Sequence, residues 1–150
     1  MKYLKRFEYN YATLNDAICD CEDRLILKMI EDGYDVNETD TMNRTPLMWC
    51  AIEREVSVDV TKKLIEKGAK LDAQDKDGCT ALIKAADRRN YSVLYALLDA
   101  GADWSYRENF THNPDFFYYL TYDDKIKVIN KYPEKYQEYF TKRDADKYNL

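Results

Sequence analysis

At 150 residues the chain has the length of one ordinary domain, enough to bury a core without disulfides or metals to staple it. Hydrophobic residues at 45% and charged residues at 34% describe a soluble globular protein, and no run approaches the roughly 20 apolar residues that a bilayer span needs. The whole formal net charge of −5 falls within residues 1–40, where ten acids stand against five bases; with a pI near 5.0 this excludes a general nucleic-acid binder, which wants a basic face.

In chain order, the opening MKYLKRFEYN has a basic start but no apolar segment behind it, so it does not read as a secretory leader, and a cytoplasmic location is expected. From there the chain repeats itself. Aligned on glycine, LILKMIEDGYDVNETD, TKKLIEKGAKLDAQD and LYALLDAGADWSYRE place Gly33, Gly68 and Gly101 at intervals of 35 and 33 residues. A period of that size signals a stack of supersecondary units rather than one folded sheet or bundle. Upstream of each glycine lies a matching start: ATLNDAICD, RTPLMWCAIE and CTALIKAADR. The middle unit carries two extra residues, which fall in REVSVDV between its two helices, where an insertion leaves the stack undisturbed.

Each unit reads as helix, turn, helix, loop. Thr45 is placed to cap a first helix with its hydroxyl, Pro46 sits at the position where a missing N–H costs nothing, and Thr80 repeats the cap. Leu47, Cys50 and Ala51, like Leu82, Ala85 and Ala86, form a small-residue apolar strip at helical spacing. The second helices carry the bulk: Leu25, Ile26, Met29 and Ile30; Val60, Leu64 and Ile65; Val93, Leu94, Leu97 and Leu98. The three glycines then stop these helices with a left-handed backbone.

TPLMWCA and TALIKAA, followed by LIEKGAKLDAQDKDG and LLDAGADWSYRE, resemble the ankyrin repeat. The likeness is strong from about Thr41 to Glu108, extends to about Thr13 as a degenerate first unit, and continues to about Tyr132, with NPDFFYYL holding Pro114 in register. The family histidine is replaced by Met48 and Ile83, so its hydrogen bonds are not expected. The fold implied is an all-α ankyrin-repeat solenoid, a single domain over 1–150 with units at about 12–40, 41–75, 76–108 and 109–132. Tyr118 and Tyr119 are read at the alanine-pair positions of the last unit, leaving no small surface for another repeat. The tail 133–150 starts with Pro133 and sets Tyr136, Tyr139 and Phe140 at helical spacing, a short helix capping the end of the stack.

Chemistry is sparse. Cys19, Cys21, Cys50 and Cys79 form no C-x-x-C pair, and with His112 the sole histidine neither a disulfide framework nor a zinc site is expected. DKDGCT lacks the glycine-rich turn and Lys-Ser or Lys-Thr of a phosphate loop, and Asp123 and Asp124 most simply place negative charge at a helix start. No nucleophile, base and orienting group converge, so neither an enzyme nor a cofactor is expected.

What the ankyrin resemblance implies is protein recognition on a concave face of loop tips and first helices. The candidates are Met42, Arg44, Trp49 and Glu53 in the second unit, with Lys76, Asp77, Cys79, Lys84, Asp87 and Arg88 in the third. In the fourth they are Asn109, Phe110, His112 and Phe117. Trp49 either anchors a partner or packs against Met48 and the neighbouring loop. The expected partner is another protein, with no nucleic acid and no membrane, and the chain alone is expected to be monomeric. In style the Lys-, Tyr- and Asn-rich composition is similar to small proteins of phages and large DNA viruses. That likeness implies an alternative: an inhibitor of a host defence nuclease or immune effector, its acidic first 40 residues mimicking nucleic acid.

Overall fold

The computed structural model describes residues 11–106 and 115–148, the last five of these by backbone alone. Among them are nine helices and no strand. Three helix pairs follow the repeat: α1 (Leu14–Cys19) with α2 (Asp23–Glu31), α3 (Pro46–Ile52) with α4 (Val58–Glu66), and α5 (Ala81–Asp87) with α6 (Tyr91–Ala100). A shorter pair, α7 (Phe116–Tyr119) and α8 (Tyr122–Lys131), precedes the 16-residue α9 (Pro133–Tyr148). First helices stack on first helices, α1 on α3 on α5 on α7, and second helices on second helices, α2 on α4 on α6, so the fold is an all-α solenoid.

The local causes are those the sequence suggests. The hydroxyls of Thr13, Thr45 and Thr80 accept from the N–H three residues on, at 3.1, 3.4 and 3.4 Å, and Pro46 opens α3. Gly33, Gly68 and Gly101 end the second helices at φ 91°, 88° and 96°. Leu47, Cys50, Ala51, Leu82, Ala85 and Ala86 are at most 1% exposed, and Val60, Leu64, Leu94 and Leu97 are fully buried beside them. Each such large side chain contributes about 1.5–3 kcal/mol by leaving water. Met48 and Ile83, at the positions of the family histidine, belong to the same core.

The two-residue insertion lies where expected. Five residues, Glu53–Ser57, link α3 to α4, against three in the other two regular pairs. Val56 turns back into the core, and Ser57 donates its backbone N–H to Asp23 of the preceding unit at 3.2 Å.

Side chains tie each unit to the next. Asn37 accepts the Lys70 N–H at 2.8 Å and donates to the Gly68 carbonyl at 3.1 Å, and Asp72, one period later, accepts the Asp103 N–H at 2.9 Å. Asn90 caps α6 and reaches back to the Cys50 carbonyl at 3.1 Å. These bonds satisfy backbone groups that a loop would otherwise leave open.

The last pair departs from expectation. Asp115, not Asn113, caps α7 through the Tyr118 N–H at 3.2 Å, so the helix begins at Phe116. The unit therefore sits two residues later than alignment on Pro114 suggests. Tyr118 and Tyr119 take the places of Met48 and Trp49, not of the alanine pair. The cap also differs. α9 is long, Tyr139 is buried and donates its hydroxyl to Asp115, whereas Phe140, expected beside it, is 44% exposed. Trp104, Phe117 and Tyr139 form one aromatic cluster with Phe116, ring centroids 4.4–6.3 Å apart. The Trp104 N–H finds no oxygen acceptor there; the rings around it offer only π faces, a weak substitute.

Candidate concave binding face

Two aspartates one period apart build the face. Asp40 and Asp75 each begin a tight turn closed by their own backbone, Asp40 N–H to the Arg44 carbonyl at 3.1 Å and Asp75 N–H to the Cys79 carbonyl at 3.0 Å. Within each turn one carboxylate oxygen accepts two further backbone N–H groups, those of Met42 and Arg44 (2.8 and 2.9 Å) or of Asp77 and Cys79 (3.0 and 2.8 Å). A short acidic side chain serves this geometry because it reaches its own chain two residues on. Asn43 and Gly78 hold the left-handed position of each turn at φ 60° and 78°. Successive tips are bonded through the Lys76 N–H and the Met42 carbonyl at 3.0 Å.

The second carboxylate oxygen reaches the first helix, nine residues on. In the second unit Asp40 accepts the indole N–H of Trp49 at 3.2 Å and the Arg44 Nε at 2.7 Å, and the Arg44 guanidinium lies 4.2 Å from the Trp49 ring centroid. Burial works against the Asp40 charge, but the N–H groups of Arg44 and Met42 and the guanidinium hold its carboxyl below the usual value. In the third unit Asp75, with 1% of its side chain exposed, accepts from Lys84 at 2.6 Å.

These contacts sort the predicted residues. Trp49 is half-buried and fixed by its own loop, with Met42 exposed beside it. Glu53 lies just beyond α3 with an extended backbone and is half-buried. Lys76, Asp87 and Arg88 are exposed and Asp77 half-buried, with the Asp87 and Arg88 side chains 3.8 Å apart. Lys84 was expected on the charged rim, but it is turned inward onto Asp75 with 17% of its side chain exposed. Cys79 is not a tip contact, because its 5% exposure places it in the core. Phe117 is 7% exposed and belongs to the aromatic cluster under α9. Asn109, Phe110 and His112 lie outside the described residues. The organising role of Asp40 and Asp75 is new; its signal was their common place in the period.

Among the described residues no group of three or more His, Cys, Asp and Glu side chains lies close enough to hold a metal, and the four thiols form no disulfide. Burial pushes the Cys50 thiol up to about 12. Partial burial and then the Glu53 carboxylate raise Cys19 and Cys21 as well, which keeps them protonated and unreactive. A crevice of about 220 Å³ between Trp104 and α9 is lined by Asp103, Ser105, Glu138, Lys135 and Lys142, a set with charges of both signs. No helix among the described residues is long and apolar enough to cross a membrane.

A family model described as ankyrin repeats (3 copies) matches residues 12–108. Among curated proteins the chain is 39% identical over 89 residues to human SH3 and multiple ankyrin repeat domains protein 2, a match covering 59% of this chain and 5% of that protein. It is 31% identical over 84 residues to chicken inversin, covering 55% of this chain and 7% of inversin. It is 38% identical over 77 residues to zebrafish palmitoyltransferase ZDHHC17, covering 51% and 12%. The chain thus spans a small fraction of each of these relatives.

Proposed function

Because the chain belongs to the ankyrin-repeat family, we propose that it acts by binding another protein rather than by catalysing a reaction. The gripping surface is the concave side of the second and third units: Met42, Arg44, Trp49 and Glu53, continued by Lys76, Asp77, Asp87 and Arg88. The observation that carries this reading is the fixed orientation of Trp49, held by Asp40 and covered by Arg44 next to an exposed Met42. A large ring already held in one rotamer loses little entropy when a partner closes on it, and such rings are typical interface anchors. The surrounding charges are of both signs, which suits a protein surface better than a polyanion.

The test is site-specific photo-crosslinking in the native host. Crosslinkers at Met42 and Arg88 are expected to capture a common protein, while those at Lys62 and Glu66, exposed on the second helix α4, are not. Trp49→Ala should weaken the captured complex by roughly 30-fold, the effect of about 2 kcal/mol. Capture from Lys62 and Glu66 with none from Met42 would move the binding face to the other side of the solenoid.

A second reading concerns the partner's charge. Asp16, Asp20, Asp23, Glu53 and Glu55 gather about the α1–α2 turn, where they raise the Cys19 and Cys21 thiols. This favours a basic partner surface of the kind that binds nucleic acid, and its affinity would fall steeply with added salt; salt-insensitive binding would exclude it.

A further inference from the structure

The repeat shows what normally covers each helix face. Ile83, the third residue of α5, is 1% exposed, and Tyr91 and Tyr95, the first and fifth residues of α6, are half-buried. What covers them is the following helix pair. Asp124 of α8 accepts the Tyr91 hydroxyl at 2.6 Å, and the Lys131 ammonium lies 4.9 Å from the Tyr95 ring centroid. Counting from the helix starts, the same positions in the last pair are Tyr118, Tyr122 and Ile126. Their exposures are 69%, 78% and 40%. α9 does not close this face, for its buried Tyr139 packs instead on Trp104 and Phe117. A terminal unit ordinarily turns a polar face to water. Here two tyrosines and an isoleucine stand where the fold elsewhere seats another helix pair.

We infer that this end face seats a second copy of the chain, α8 against α8 in antiparallel orientation about a two-fold axis. Such an interface uses one patch twice, so the patch must complement itself. α8 meets this condition. Tyr122 and Ile126 fall on one helical face, while Ile129 beside them is half-buried against its own core, and in antiparallel apposition the tyrosine of each copy packs against the isoleucine of the other. On one flank Asp123 precedes Lys127 by a turn, so the same apposition sets each acid near the other copy's base. Asp123 makes no ion pair with a described residue of its own chain; the Lys127 ammonium meets Asp124 at 3.1 Å but, with 65% of its side chain exposed, is open to a second acid. The concave face is left open, so this contact and the binding of a different protein do not compete.

The test is sedimentation equilibrium of the whole chain from about 10 μM to about 1 mM. The expected result is a concentration-dependent rise from 17.8 kDa to twice that mass. Tyr122→Asp with Ile126→Asp should hold the chain at the lower mass with an unchanged circular dichroism melt. Asp123→Lys should weaken association by roughly tenfold, and Phe140→Asp on α9 should leave it as in the unsubstituted chain. A single 17.8 kDa species throughout would overturn the inference. So would a dimer that survives the Tyr122 and Ile126 substitutions, is indifferent to Asp123→Lys, or is abolished by Phe140→Asp.

Discussion

Replacing Asp75 by alanine is expected to destabilise the fold by about 3–5 kcal/mol, the usual cost of stranding one partner of a buried ion pair. The magnitude follows from what the carboxylate holds. Its Oδ2 accepts from Lys84 at 2.6 Å, with 1% and 17% of the two side chains exposed, and its Oδ1 accepts the N–H groups of Asp77 and Cys79. Alanine leaves an ammonium in a nearly dry site and opens a turn that supports the core residue Cys79. Asp75→Asn keeps the Oδ1 acceptor for the turn but sets an amide NH2 donor against the Lys84 ammonium, so most of that cost is expected to remain. Pairing it with Lys84→Met removes both charges together and should return stability to within about 1 kcal/mol of the original, far from the sum of the two single effects. Asp40→Ala is the internal control, since its carboxylate and the Arg44 side chain are 19% and 29% exposed and water can replace more of what is lost. Urea unfolding followed by far-UV circular dichroism measures each variant, with an unchanged slope confirming that the same surface is exposed. For a chain of this size 1 kcal/mol moves the melting temperature by about 2–4 °C, so Asp75→Ala should fall roughly 10 °C and Asp40→Ala much less. Equal losses at the two positions would show that the deeper burial of the Asp75–Lys84 pair adds nothing to what each carboxylate supplies to its turn.

Gly68→Ala should cost about 1 kcal/mol in the same unfolding assay, all of it backbone strain at φ 88°, because a Cβ there meets nothing within 4 Å. A loss much above about 2 kcal/mol would mean that the next unit rides on that surface. Tyr139→Phe should loosen the cap by about 1 kcal/mol near neutral pH by removing the hydroxyl donated to Asp115. The Tyr139 phenol is raised from 10.0 to about 12, first by burial and then by Asp115. The folded state thus favours the neutral phenol, a contribution that is complete below pH 10 and vanishes as the pH rises through about 12. Fluorescence of Trp104, 6.3 Å from the Tyr139 ring, should report loosening across that interval, and the phenylalanine variant should lose that step.

The period carried most of the fold. Threonine caps, the glycine stops, the small strip of the first helices and the site of the insertion all follow from local rules that act identically in each copy, so comparison between copies exposed them. The misplaced features are those where a copy is unlike its siblings. Pro114 offers a register for the last pair, but an aspartate caps as well as a threonine, and Asp115 sets the helix start two residues later. Phe140 and Tyr139 satisfy the same helical spacing. Only Tyr139 can place a hydroxyl on Asp115 while its ring fills the cluster around Trp104, and this tertiary choice leaves no trace in periodicity. For Lys84 the sequence shows the position in the helix, that of a rim charge, but not the Asp75 carboxylate that draws it inward.

The same competition for a carboxylate shapes the proposed binding face. The residue nine after each turn aspartate competes for the same carboxylate oxygen, and its chemistry decides what remains for a partner. Trp49 donates one N–H and keeps the faces of its ring, one of them covered by Arg44, so meeting the scaffold's need leaves a surface for recognition. Lys84 has a single charged end, and giving it to Asp75 leaves little outside the molecule. Counted from the helix cap, the third copy of this position is Tyr119, half-buried against the Tyr118 ring at 5.2 Å. A lysine there spends its charge on the scaffold, whereas an aromatic donor bonds the scaffold and keeps ring surface, so on the face we propose the aromatic anchor falls in the second unit although the second and third share one scaffold.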